Sequence, residues 1–154
     1  MFEPSVNARI NHVAMSVPAA WLDEARRDEI VDFYHEVFGW NRAESGEESN
    51  PLLLSTHEWG DFIYIYPSHD DYMVTPRLDH FGFRVATLEE LDDTLDRAKK
   101  RAASDDRVSI IEKETNTQQS RYGPVTLTNC YVGFLLPLMV ELQHIVVEQG
   151  ADAG

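Results

Sequence analysis

The chain predicts an α+β fold in which a strand–helix–three-strand unit occurs twice and the two units pack as one domain. Three observations carry this. The stretches "INHVAMSV" (10–17) and "LDHFGFRV" (78–85) share a plan: aliphatic, polar, histidine, then an apolar alternation that ends in valine. Each is followed by a segment with the apolar spacing of one helix face, and each helix by further strand-like runs. A βαβββ unit cannot cover both faces of its own sheet, so two pack together. The first unit takes in about residues 9–67 and the second about 78–147, with the boundary in the loop "SHDDYMVTP".

Residues 9–17 alternate and predict a strand. Over 22–38, Ile30, Phe33, Tyr34, Val37 and Phe38 line one helix face, and Gly39 stops the helix. The acidic "ESGEESN" reads as an exposed loop. "PLLLSTHE" and "GDFIYIYP" read as strands, divided at Trp59-Gly60 and closed by Pro67. The second unit begins with a strand over 78–86. Thr87 with Glu90 three places on makes a capping box, and Leu88, Leu91, Leu95 and Ala98 line the helix that follows. Strands are expected near 107–114, 124–134 and 137–147, which makes each half strand, helix, three strands.

The bulk numbers bound the function. At 154 residues the chain can bury a core without disulfides or a structural metal. A net charge of −14 repels phosphate backbones and anionic lipid, so neither nucleic acid nor a membrane is expected as a partner. No apolar run approaches the roughly 20 residues that span a bilayer, and "MFEPSVNARIN" lacks the basic start and apolar stretch of a secretory signal. Cys130 stands alone, so no internal disulfide can form. It reads as a small buried hydrophobe in a reducing cytoplasm. The acids fall in short pairs, such as Glu47-Glu48 and Asp105-Asp106, without the alternating spacing of a calcium loop.

Side-chain parity selects the functional candidates. On the first strand Ile10, His12, Ala14 and Ser16 share a face; on the fifth, His80, Gly82 and Arg84; on the eighth, Met139, Glu141 and Gln143. The opposite faces are apolar enough to lie under helices. Glu141 stands among hydrophobic neighbours that predict burial, and a buried carboxylate requires a cation or strong donors. Two imidazoles and one carboxylate supply half of an octahedral shell and leave positions open for substrate or water. Donors of this kind suit Fe²⁺, Mn²⁺, Ni²⁺ or Zn²⁺, and affinity order alone does not choose among them.

The paired strands, the helix ending "FYHEVFGW" and the strand ending "MVELQH" resemble the vicinal oxygen chelate superfamily, over about residues 9 to 147. That group includes glyoxalase I, methylmalonyl-CoA epimerase, extradiol dioxygenases, fosfomycin-resistance enzymes and bleomycin-binding proteins. The resemblance implies two βαβββ modules whose sheets curl into a cup formed by strands one, four, five and eight. It also implies a divalent metal at the base of the cup and a homodimer. The family's ligand positions fall on His12, His80 and Glu141, with a fourth near Tyr64. Two histidines and one glutamate are similar to the ligand set of extradiol dioxygenases and fosfomycin enzymes. Tyr131, ten residues before Glu141 with Pro137 between, is similar to the tyrosine–turn–glutamate spacing of the extradiol signature.

The resemblance therefore implies a metal-dependent enzyme that chelates two adjacent oxygens of a small-molecule substrate, with extradiol-type ring cleavage as the leading reaction and Fe²⁺ as the favoured ion. Tyr131 would donate a hydrogen bond to a substrate oxygen and Tyr64 would act as proton donor. Arg84, Tyr122 and Met139 would contact substrate. The extradiol signature has an Asp-Pro-type turn where this chain has Phe134-Leu135, and histidines about where Tyr122 and Tyr64 stand. The alternatives are a glyoxalase- or epimerase-like lyase or isomerase, with Glu141 doubling as base, and a metal-free binding protein of the bleomycin type, which lacks the triad. His35, His57, His69 and His144 read as solvated or structural, and Trp21, Trp40 and Trp59 as packing at helix and strand ends.

Overall fold

A computed structural model describes residues 9–121 and 123–147. Each unit has the expected order. In the first, strand β1 (His12–Pro18) leads through a 3-10 turn at Ala19–Trp21 into helix α1 (Glu24–Phe38), then β2 (Asn41–Ala43), β3 (Leu52–Ser55) and β4 (Phe62–Ser68). In the second, β5 (His80–Arg84) precedes helix α2 (Leu88–Ala102), β6 (Ser109–Ser120), β7 (Gly123–Gly133) and β8 (Met139–Val147). The first of the three strands that follow α1 is only the three residues of β2.

Local chemistry sets the helix ends. Asp23 caps α1 by accepting from the Arg26 amide at 2.8 Å. At the other end Gly39 takes φ 76°, a left-handed C-cap that costs glycine nothing. The capping box on α2 forms as expected: the Glu90 amide donates to the Thr87 hydroxyl at 3.1 Å while the Glu90 carboxylate accepts from the Thr87 amide. The greatest extension beyond the sequence reading is β6, which runs on to Ser120. Hydroxyl pairs Thr115–Thr128 and Thr117–Thr126 bridge it to β7, past a register shift between Ile111 and Glu114.

The sheets run β1-β4-β3-β2 and β5-β8-β7-β6, with β1 parallel to β4 and β5 parallel to β8. The four strands expected to wall the cup thus form two pairs in two separate sheets. Among the described residues β1 and β5 each end a sheet. The two units share one core. Phe33 stacks on Phe134, and the Tyr34 hydroxyl donates to the Phe134 carbonyl at 3.1 Å. Trp40 rests against Tyr34, Phe38, Phe81 and Phe83. Trp21 and Trp40 pack as expected, but Trp59 is fully exposed, because it sits at the tip of the β3–β4 turn beside Gly60 at φ 99°. Among the described residues, no helix is long and apolar enough to cross a membrane.

Candidate metal centre

The pairing register shows what the internal repeat places where. In the second unit His80 lies opposite Met139 and Gly82 opposite Glu141. In the first, His12 lies opposite Phe62 and Ala14 opposite Tyr64. Tyr64 is therefore the register equivalent of Glu141, which is where the family's fourth ligand position was expected.

His80 and Glu141 come together. The Glu141 side chain is only 12% exposed, and its Oε2 lies 3.5 Å from His80 Nε2. His80 Nδ1 sits 2.7 Å from the Leu78 carbonyl, so Nδ1 carries a proton and donates it there. In a neutral ring this leaves the Nε2 lone pair facing a carboxylate oxygen. Two acceptors at that distance repel unless a proton or a cation lies between them, and this is the donor arrangement of half a metal site.

Glu141 Oε1 faces the other way. It accepts from Asn129 Nδ2 at 2.8 Å and from the Tyr131 hydroxyl at 3.0 Å, while Asn129 Nδ2 also reaches the Tyr131 oxygen at 2.9 Å. Burial, and then the hydrogen bond to Glu141, raise the Tyr131 pKa, so this phenol stays protonated at neutral pH. The His80 ring stands edge-on to Tyr131 at 4.9 Å. The Tyr131 proton, expected to serve a substrate oxygen, is directed at Glu141.

His12 is not part of this cluster. It is exposed on the other sheet, stacked on Phe62 at 5.0 Å and 4°, with Nδ1 2.9 Å from the Asn11 side-chain oxygen. Among the described residues no three His, Cys, Asp or Glu converge as metal ligands. The expected triad does not close within one chain, because its two histidine strands are edge strands of separate sheets. Both rings nonetheless have Nδ1 engaged by an oxygen and Nε2 left over, so the two units prepare their histidines alike.

Tyr64 donates to Glu47 Oε2 at 2.7 Å, and that hydrogen bond is the main cause of its raised pKa. A carboxylate thus reaches the register equivalent of Glu141 by way of the loop before β3. Arg84 shares the His80 face and is exposed, and its side chain makes no hydrogen bond or ion pair among the described residues. Met139 is 5% exposed and packs beside Gly133, so it forms floor and offers little surface to a ligand. Tyr122 lies outside the described residues. An open cleft of about 950 Å³ runs between the edge strands, lined by His12 and Phe62 on one side and by Gly82, Phe83 and Arg84 on the other.

Sequence reasoning missed Asn129 and Glu47. Asn129 stands two places before Tyr131, so strand parity puts both on one face. Placing that face against Glu141 needs the hairpin register, which local pattern does not supply. Glu47 was read as one acid among many in a solvated loop.

Comparison with known proteins agrees with the architecture. A family model described as the Glyoxalase/Bleomycin resistance protein/Dioxygenase superfamily matches residues 9–118. None of the curated proteins matches the chain by sequence. Solved structures share the fold. The genomically encoded fosfomycin resistance protein FosX from Listeria monocytogenes is 17% identical over 90% of this chain and 94% of its own, with a TM-score of 0.58. A glyoxalase/bleomycin resistance protein/dioxygenase from Alicyclobacillus acidocaldarius is 17% identical over 92% and 94%, with a TM-score of 0.56. An integron cassette protein from V. cholerae is 15% identical over 93% and 98%, also at 0.56.

Proposed function

Since the chain belongs to the Glyoxalase/Bleomycin resistance protein/Dioxygenase superfamily, we propose that it is a metal-dependent enzyme acting on a small molecule through two adjacent substrate oxygens. The observation that carries this reading is the His80 Nε2 and Glu141 Oε2 pair, an imidazole nitrogen and the oxygen of a largely buried carboxylate converging at 3.5 Å. The third ligand is His12 of a second copy. The open edges of β1 and β5, with Ile10 88% exposed, Leu78 63% exposed and Trp59 bare, support a homodimer that joins the two half-sites. A variant of the Listeria fosfomycin resistance protein, similar in fold at a TM-score of 0.54, was solved with Mn(II) and a dihydroxypropylphosphonic acid. That pairing of a divalent ion with a small oxygen-rich ligand supports the class of site.

A bound divalent ion would act as Lewis acid or oxygen activator. The chain's own groups divide the remaining work. Arg84, whose exposed side chain has no partner among the described residues, would hold an anionic substrate group. Phe62, Tyr64 and Tyr66 present a ladder of rings to a flat substrate. Tyr64, kept protonated by its hydrogen bond to Glu47, would donate its proton to a substrate oxygen and be reprotonated from solvent, with the Glu47 carboxylate anionic throughout. The ring ladder favours extradiol-type cleavage of a catechol by an Fe²⁺ form. The Tyr64–Glu47 pair favours the second reading, a lyase or isomerase in which a base removes a substrate proton.

The test loads metal-free protein anaerobically with Fe²⁺, adds a catechol panel and admits oxygen. Oxygen uptake with yellow products supports ring cleavage. Turnover of a hemithioacetal by the Ni²⁺ or Zn²⁺ form, with no oxygen uptake, assigns the lyase instead. A protein that binds a catechol or hemithioacetal but turns over neither and retains no metal is a binding protein, and the enzyme reading fails.

A further inference from the structure

We propose that Asn129 is a positioning residue that makes Glu141 a one-oxygen metal ligand. The inference rests on the metal reading above and concerns how the carboxylate is presented. A carboxylate oxygen has two lone pairs in its plane. Those of Oε1 are both taken, one by Asn129 Nδ2 at 2.8 Å and one by the Tyr131 hydroxyl at 3.0 Å. The amide orientation follows from the chemistry, since the reverse would turn Asn129 Oδ1 towards a carboxylate and a phenol oxygen that already donates elsewhere. The three side chains close a ring, because Asn129 also donates to the Tyr131 oxygen at 2.9 Å.

The other oxygen is kept clear. Oε2 accepts no hydrogen bond among the described residues and turns to His80 Nε2 at 3.5 Å. Across the strand pair it lies over Gly82, where a Cβ would stand 3.0 Å away. Any side chain at that position would press on the one oxygen free to coordinate. Asn129 therefore holds the carboxylate from behind while Gly82 leaves room in front.

The consequence is a count of open sites. A carboxylate bound through both oxygens fills two positions of a six-coordinate shell, and through Oε2 alone it fills one. With two imidazoles, three positions remain for a substrate's two oxygens and one further ligand.

Mn²⁺ binding by the full-length protein tests this, read by titration and by the electron paramagnetic resonance spectrum of the bound ion at saturating metal. Asn129→Leu is expected to weaken Mn²⁺ binding about 10- to 100-fold, as loss of an outer-shell partner does, and to change the zero-field splitting. Tyr131→Phe, which removes one donor and keeps the shape, should give a smaller change in the same direction. Gly82→Ala should weaken binding with the donors intact. Wild-type affinity and an unchanged spectrum in both Asn129→Leu and Tyr131→Phe overturn the inference and leave the metal reading standing. A wild-type protein that takes up no Mn²⁺ overturns the metal reading itself. Should Asn129→Leu fail to fold, Tyr131→Phe and Gly82→Ala decide alone.

Discussion

Glu141 couples the two kinds of environment in this protein, with neutral donors behind it and an imidazole in front. Replacing it with alanine removes the one carboxylate at the centre and should abolish divalent metal uptake, measured by elemental analysis of protein purified without chelator. Unchanged occupancy in Glu141→Ala would refute its role as ligand. Cys130 is the opposite case. Burial pushes its thiol up to about 11, so its thiolate is on the order of one part in ten thousand at neutral pH. A thiol reagent should leave the native protein unlabelled and react fully once it is unfolded; rapid labelling of the native state would contradict the buried reading. At this scale the faces that bring His80 and Glu141 together were legible because the period of two in a strand assigns a face from local sequence. Asn129 was not, since its partner lies 12 residues on across a turn.

At the scale of elements, ends were legible where a side chain writes them. The Thr87–Glu90 box and Gly39 were read correctly because capping is local chemistry. Thr87→Ala should cost about 1 kcal/mol and lower the melting temperature by roughly 2–4 °C in a domain of this size; a variant as stable as the wild type would show that the packed face alone fixes α2. The run "ETNTQQS" was not legible as strand, having no apolar alternation. It extends because β7 pairs with it through threonine hydroxyls. Arg107 ties the loop before β6 to α1 through Asp105 at 2.7 Å and Glu29 at 3.0 Å. Hydrogen bonds from Arg107 hold the Asp105 carboxyl down at about 2, against an ordinary value of 3.8. The native state thus prefers the charged form. Its contribution is complete above about pH 4 and disappears as pH falls through about 2. Asp105→Asn should flatten the stability–pH curve in that window, and an identical slope in both proteins would show that the exposed pair contributes nothing.

For the whole molecule, the two-unit plan was legible in the duplicated histidine strand, but the relation between the units was not. Local patterns specify a strand's faces and leave its neighbours open, so a cup of strands one, four, five and eight could be drawn within one chain or between two. The core settles how the units meet here: Trp40 and Phe134 join them, and β1 and β5 remain edges. The exposed Ile10 and Trp59 lie at the His12 end of that edge, where Asn11 donates to the Gly60 carbonyl. Trp59→Glu together with Ile10→Lys should shift the protein from dimer to monomer in sedimentation and lower metal occupancy with it; a double variant that stays dimeric and fully loaded would remove that edge from the contact. The central claim is that one metal centre draws His80 and Glu141 from one chain and His12 from another. The most direct measurement mixes His12→Ala and Glu141→Ala chains, unfolds and refolds them together, and determines bound Mn²⁺. Each variant alone should bind none, and random pairing of subunits should return about a quarter of wild-type occupancy, because half the dimers then hold one intact site in two. A mixture as empty as its parents would contradict a centre shared between chains.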